Sequence, residues 1–187
     1  MATTLITGET WGDEIDSVRT SLLAASEQPF AMLRPTLGEA HGALVQALEG
    51  VSEEQAAFTP AIGEGEDAWG IAEVLRHLAS VEVIMANRVR QLGQGEVLNL
   101  QATYPGFMES VETRRLPELV DIVGRSYEAL LAAVGEVEGN ERLDTMDAHR
   151  RFGELNCRGW VAMHTLHVQD HARQIGKIKE LAGYPGR

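Results

Sequence analysis

Leu37, Ala40, His41, Leu44, Val45 and Leu48 recur at intervals of three and four, the repeat of one helical face. Pro35 precedes this run and suits a helix's first turn, and Gly50 marks its end. Upstream, Asp13 through Ala25 predicts a short amphipathic helix on Ile15, Val18, Leu22 and Leu23. Ser52–Glu53–Glu54–Gln55 has the form of a capping box and predicts one short turn. A loop rich in Pro and Gly follows, from Thr59 to Asp67. Trp69, Leu75, Leu78, Val81, Met85, Val89 and Leu92 then define a second long helix, ended by Gly93. Gln94 to Arg115 lacks clear periodicity, and loops of this length are often functional. Pro117 opens a third helix on Leu119, Val120, Val123, Tyr127, Leu130, Leu131 and Val134, stopped at Gly139–Asn140. Leu155 to Leu181 reads as the fourth, closed by Gly183 and Pro185. No segment shows sustained β alternation. The pattern predicts an all-α four-helix bundle forming one domain over residues 1–187, with 1–30 as an N-terminal extension and 31–183 as the bundle.

Composition narrows the partners. With 16 basic against 28 acidic residues the chain carries a formal charge of −12. That balance argues against nucleic acid, whose phosphates need Lys and Arg, and against anionic membrane surfaces. No apolar run reaches membrane-spanning length, and the N-terminus lacks a signal pattern. The one cysteine, Cys157, permits no internal disulfide and fits a reducing compartment. A cytoplasmic protein is expected.

The candidate chemistry lies in the histidines. His164, His167 and His171 fall within one stretch of the fourth helix. Residues four apart lie one above the other, so His167 and His171 could hold one divalent cation from a single helix. His164 and His167 differ by about 60° and about 4.5 Å of rise, and His167 and His171 by about 40° and about 6 Å. His164 and His171 are about 10.5 Å apart along the axis, too far to share an ion. Two competing pairs therefore exist, 164/167 and 167/171, and spacing does not choose between them. His77 on the second helix is the leading third ligand, with Glu73 one turn before it as a supporting carboxylate. A three-imidazole set leaves an open position and points to a catalytic rather than a structural ion. His41 and His149 read as ordinary hydrogen-bonded histidines. Cys157 reads as a packed small side chain, Asp170 as solvated, and Glu64, Glu66 and Asp67 as an exposed loop with Asp67 a candidate cap. Arg114–Arg115 reads as an exposed helix start, and Tyr104 and Phe107 as either a pocket roof or core anchors.

Two segments carry a family resemblance. Trp69–Gly70–Ile71–Ala72–Glu73–Val74–Leu75–Arg76–His77–Leu78 resembles a "W-S-I-x-E-V-L-x-H-L" opening of helix two. Phe152–Gly153–Glu154–Leu155, Trp160 and His167–Val168–Gln169–Asp170–His171–Ala172–Arg173–Gln174–Ile175 resemble an "H-x-x-x-H-x-x-Q-I" ending. Together, in this order on helices two and four, they resemble the DinB-like (YfiT-like) superfamily, from roughly Pro35 onward. The resemblance implies an up-down-down-up bundle and a divalent ion, nickel or zinc, on His77, His167 and His171. His164 is then expected to line the pocket. Gly70 stands where the pattern often has Ser, which would weaken a helix cap. Arg173 replaces a common small residue.

The family chemistry is diverse. Some members resemble thiol-dependent transferases, in which the metal activates a low-molecular-weight thiol cosubstrate, and others are called hydrolases. The resemblance thus implies a metal-dependent enzyme acting on a small-molecule substrate, with thiol transfer ahead of hydrolysis, and a homodimer. One rival is a non-catalytic metal- or small-ligand-binding stress protein. Another keeps the bundle without the metal and leaves the three histidines as a hydrogen-bonded cluster.

Overall fold

The three- and four-residue repeats fold as four long helices with shorter pieces between them. The computed structural model describes residues 14–61, 63–99, 111 and 113–186. Its helices are α1 (Ile15–Ser26), α2 (Phe30–Leu48), α3 (Glu53–Ala56), α4 (Ile71–Gln94), α5 (Leu116–Val137) and α6 (Cys157–Glu180). A 3-10 turn, Gly65–Ala68, precedes α4. Strands β1 (Asp147–His149) and β2 (Gly153–Leu155) pair antiparallel before α6, with Asp147 opposite Leu155.

Contacts near the helix ends set their directions. Gly93, close to the end of α4, packs on Val137, the last residue of α5, so these two helices run the same way. Arg158 near the start of α6 stands 6.0 Å from the ring of Phe30 at the start of α2, so that pair also runs together. Arg34 near the start of α2 pairs with Glu138, just past the end of α5, at 2.7 Å, so the two pairs oppose each other. The path is up-down-down-up. Parallel neighbours cannot be joined by a short turn, which accounts for the long stretch of chain between α4 and α5.

Two apolar clusters fill the ends of the bundle. Leu22, Phe30, Leu37, Met85, Leu92, Leu130, Phe152 and Trp160 form one. Leu44, Ile71, Leu75, Leu78, Leu119, Ile122, Val168 and Ile175 form the other. Each buried leucine-sized side chain contributes about 1.5–3 kcal/mol. Between the clusters, at the middle of each long helix, sit the buried polar residues His41, Glu82, Ser126 and His164.

Several sequence-based boundaries move. The helix expected to open at Pro35 begins at Phe30, because Phe30 and Leu33 are buried and extend the apolar stripe. Pro29 sits at its cap with extended backbone, and Pro35 lies inside the helix, where it has no N–H for the Ala31 carbonyl. Gly93 does not end α4. A Cβ there would lie 2.8 Å from Val137, so this glycine permits close helix approach. Gly95, at φ 73°, makes the left-handed cap instead. Leu155 belongs to β2, and α6 starts at Cys157, capped by Asn156, whose Oδ1 accepts from the Gly159 N–H at 3.0 Å. The hairpin escaped the pattern because three-residue strands are too short to show alternation. The capping box at Ser52 and Gln55 starts α3 as expected. Among the described residues no helix is long and apolar enough to cross a membrane. Tyr104, Phe107 and most of the residue 100–112 stretch lie outside the described residues.

Candidate functional site

His77 comes from α4, and His167 and His171 from successive turns of α6. Antiparallel packing brings all three imidazoles together. Nε2 of His167 lies 3.0 Å from Nε2 of His77 and 3.1 Å from Nε2 of His171. Trp69 walls the group, its ring centroid 4.9 Å from that of His77 and 6.2 Å from that of His171. Gln174, one turn beyond His171, explains the orientation of that ring. Its amide nitrogen donates to the Glu66 carbonyl, so its Oε1 faces His171 Nδ1 at 2.7 Å. An amide oxygen only accepts, so Nδ1 carries the proton and Nε2 presents its lone pair to the cluster.

The cluster is electrically neutral at pH 7. Burial, and then the neighbouring His171 and His164, bring His77 down to about 4. Burial and the surrounding imidazoles hold His167 well below its usual range. Burial also lowers His171, with Gln174 opposing. Three neutral rings thus direct nitrogen atoms at one another, and His167 Nδ1 is buried without a hydrogen-bond partner. Neutral imidazoles are the donors that zinc or nickel takes. The residues fit a divalent ion.

A second group lies deeper. Glu82 of α4 is fully buried, and its Oε1 stands 2.6 Å from His41 Nε2 and 3.5 Å from His164 Nε2. The His41 approach is a close ion-pair contact rather than an aligned hydrogen bond. Oε2 accepts from the Ser126 hydroxyl at 2.5 Å, and His41 stacks on Tyr127 at 3.7 Å between centroids. Burial alone would raise the Glu82 pKa, but His164 and His41 together hold it at about 2. Among the described residues these are the two groups whose ligating atoms lie within 4.8 Å of one another, and either could hold a metal ion. They differ chemically. One sets a carboxylate between two imidazoles in a layer sealed from solvent, and the other brings three imidazole nitrogens together beside a cavity.

The family model described as the DinB superfamily matches residues 36–175, a span that holds both groups. The chain belongs to the DinB superfamily. No curated protein and no solved structure matches it. DinB-superfamily membership and the buried histidine clusters are compatible with a metal-binding role.

The remaining candidates of this DinB-superfamily chain fall partly as expected and partly not. Glu73 is exposed and its carboxylate accepts from the Gly70 N–H at 2.7 Å, so it caps α4 instead of supporting His77. Gly70 is required there by space, since a Cβ would lie 2.2 Å from the Phe58 carbonyl oxygen. Asp67 lies in the exposed 3-10 turn, and Gly70 takes the cap position. His164 does not line the pocket. It is fully buried and turns to Glu82. His41, read as ordinary, belongs to the same buried layer. Asp170 is half-buried rather than solvated, is raised by that burial, and pairs with Arg173 at 3.1 Å. Burial pushes the Cys157 thiol up to about 11, which removes it as a nucleophile. Sequence reading missed Glu82, although its place between Leu78 and Met85 on the apolar stripe marks it as a buried acid.

A cavity of about 730 Å³ opens beside the imidazole cluster. His167 and Gln174 lie in its wall, with Trp160, Met163 and Met85 as its apolar lining.

Proposed function

We propose that this chain is a metal-dependent enzyme holding one divalent ion, nickel or zinc, on His77, His167 and His171. The nucleophile is a low-molecular-weight thiol or water, and the other reactant is a small electrophilic molecule bound in the adjoining cavity. The convergence of three neutral Nε2 atoms beside that cavity carries this reading. When bound, such an ion lowers the pKa of a coordinated water or thiol toward neutrality.

The chain's own residues set the site. Gln174 holds His171 in the tautomer that turns Nε2 inward. Trp69 covers His77 and His171 and excludes water from that side. Glu82, through its contact with His164, anchors the middle of α6 to α4 and so positions His167. The sealed Glu82 layer serves as support, since its carboxylate is already engaged by Ser126 and two imidazoles. Family resemblance extends the reading to a cytoplasmic homodimer.

The reading is tested by turnover. Protein purified without a histidine tag is loaded with zinc or nickel and incubated with thiols and a panel of epoxides, activated esters and halides. Metal-dependent product formation, lost on chelation and in His171→Ala, is expected. Full metal occupancy with no turnover across the panel would instead support a non-catalytic binder.

A further inference from the structure

The imidazoles divide the adjoining cavity into two halves of different character. On α4, Val81 and Met85 follow His77 at intervals of four, and on α6, Met163 and Trp160 precede His167 by four and seven. Each set lies on one helical face. Because α4 and α6 run in opposite directions, both sets lead from the cluster toward the same end of the cavity, and all four residues lie in its wall. Val81 and Met163 stand one turn from the imidazoles, and Met85 and Trp160 about two. On the other side of the cluster the wall is charged, with Glu66, Asp67 and Asp170 beside Arg173 and Lys177.

The apolar half is a slot with a fixed end. Met85, Met163 and Trp160 are buried in the bundle. The Arg88 guanidinium stands 3.8 Å from the centre of the Trp160 ring and is held by Asp147 at 2.9 Å. His149 meets the same ring edge-on, 5.5 Å between centroids. The β1–β2 turn, Ala148 to Arg151, forms the rim of this end, with the Arg150 and Arg151 side chains exposed. An alkyl chain gains nothing by passing a held guanidinium, so the slot has a length. From His167 to Trp160 it measures about 10 Å along the axis, the reach of about eight extended carbons. Two methionines with adaptable thioether chains make it selective for length and apolarity more than for outline.

From this arrangement we infer that the electrophile has an apolar body, alkyl or aryl, about 10 Å long. The body lies in the seam between α4 and α6, from Val81 and Met163 to Met85 and Trp160, and its reactive atom stands at the imidazoles. The charged half is left to the thiol or water. The inference rests on the proposed reading for which end reacts, whereas the slot itself stands without the ion.

Butanol, hexanol, octanol and decanol share a small head group and differ in length, and diethylene glycol monoethyl ether matches octanol with two methylenes replaced by oxygen. Their binding to the full chain is followed by titration calorimetry, zinc-loaded and after chelation. Affinity is expected to rise about three- to fourfold per methylene as far as octanol, with decanol within about threefold of octanol and the ether at least about thirtyfold weaker. Zinc shifts all members alike and leaves the slope unchanged. Met163→Gln is expected to weaken octanol about tenfold and Val81→Thr about threefold, while Ile84→Thr, on α4 outside the cavity wall, changes nothing. Val81 is half-buried, so Val81→Thr carries the test if the melting curve shows Met163→Gln unfolded. No binding of octanol, a rise that continues undiminished to decanol, or octanol affinity indifferent to the cavity variants would overturn the inference. So would an equal loss in Ile84→Thr, which would place the alcohol on the surface. A chain that takes up no zinc yet keeps the length limit would lose the metal reading and retain this one. Zinc-dependent turnover of polar electrophiles with no dependence on Met163 or Val81 would do the reverse.

Discussion

Replacing Glu82 with glutamine keeps the shape of the side chain and removes its charge. The amide can still accept from Ser126, so the change isolates what His41 and His164 gain from the carboxylate. Glu82 is held at about 2 against an ordinary 4.5. At about 1.4 kcal/mol per pH unit this corresponds to about 3 kcal/mol of stability at pH 7. The folded pKa lies below the unfolded one, so the contribution is complete above pH 4.5 and is lost as pH falls through 2. Glu82→Gln should therefore unfold more easily in urea at pH 7 by about 3 kcal/mol, or about 6–12 °C in melting temperature for a chain of this size. At pH 3 the gap between the proteins should narrow by about 2 kcal/mol. Protonation of the other imidazoles destabilises both proteins alike and cancels in the difference. A loss below about 1 kcal/mol at pH 7, or a gap no smaller at pH 3, would refute the reasoning that this carboxylate is a paired buried charge.

Other outcomes follow from single contacts. Gln174→Leu leaves His171 Nδ1 without its acceptor and should weaken zinc binding by about 10–100-fold in competition with a chromophoric chelator, with the helical spectrum unchanged. Unaltered affinity would show that Gln174 does not orient the ring. Gly70→Ala forces a Cβ against the Phe58 carbonyl and should cost about 1–3 kcal/mol in urea unfolding, more than helix propensity could return. Cys157, buried and raised to about 11, should resist iodoacetamide at pH 8 in the folded chain and react once unfolded in guanidinium. Rapid native labelling would place the thiol elsewhere than in the core.

Helix identity was readable because each long helix carries an unbroken apolar stripe. Its ends were less so, since Pro35 and Gly93 resemble signals but are tolerated inside helices, one at the cost of a single backbone donor and one because Val137 needs the room. The four-residue interval joined His167 to His171. Spacing could not separate His164 from that pair, because a difference of about 20° in rotation does not say which neighbour each ring meets. Packing decides it: His164 faces Glu82 across the bundle, and His171 faces His77. Glu73 looked like support for His77 by position, yet the unpaired N–H groups at the start of α4 claim its carboxylate.

The central claim is that His77, His167 and His171 hold one divalent ion. Its most direct test is elemental analysis of untagged protein after zinc loading and gel filtration, run beside single alanine variants. About one zinc per chain is predicted in the wild type and in Glu82→Gln, with most of it lost in His77→Ala, His167→Ala and His171→Ala. Full retention by all three alanine variants, or loss only in Glu82→Gln, would contradict the claim and move the ion to the His41–Glu82–His164 layer or off the protein.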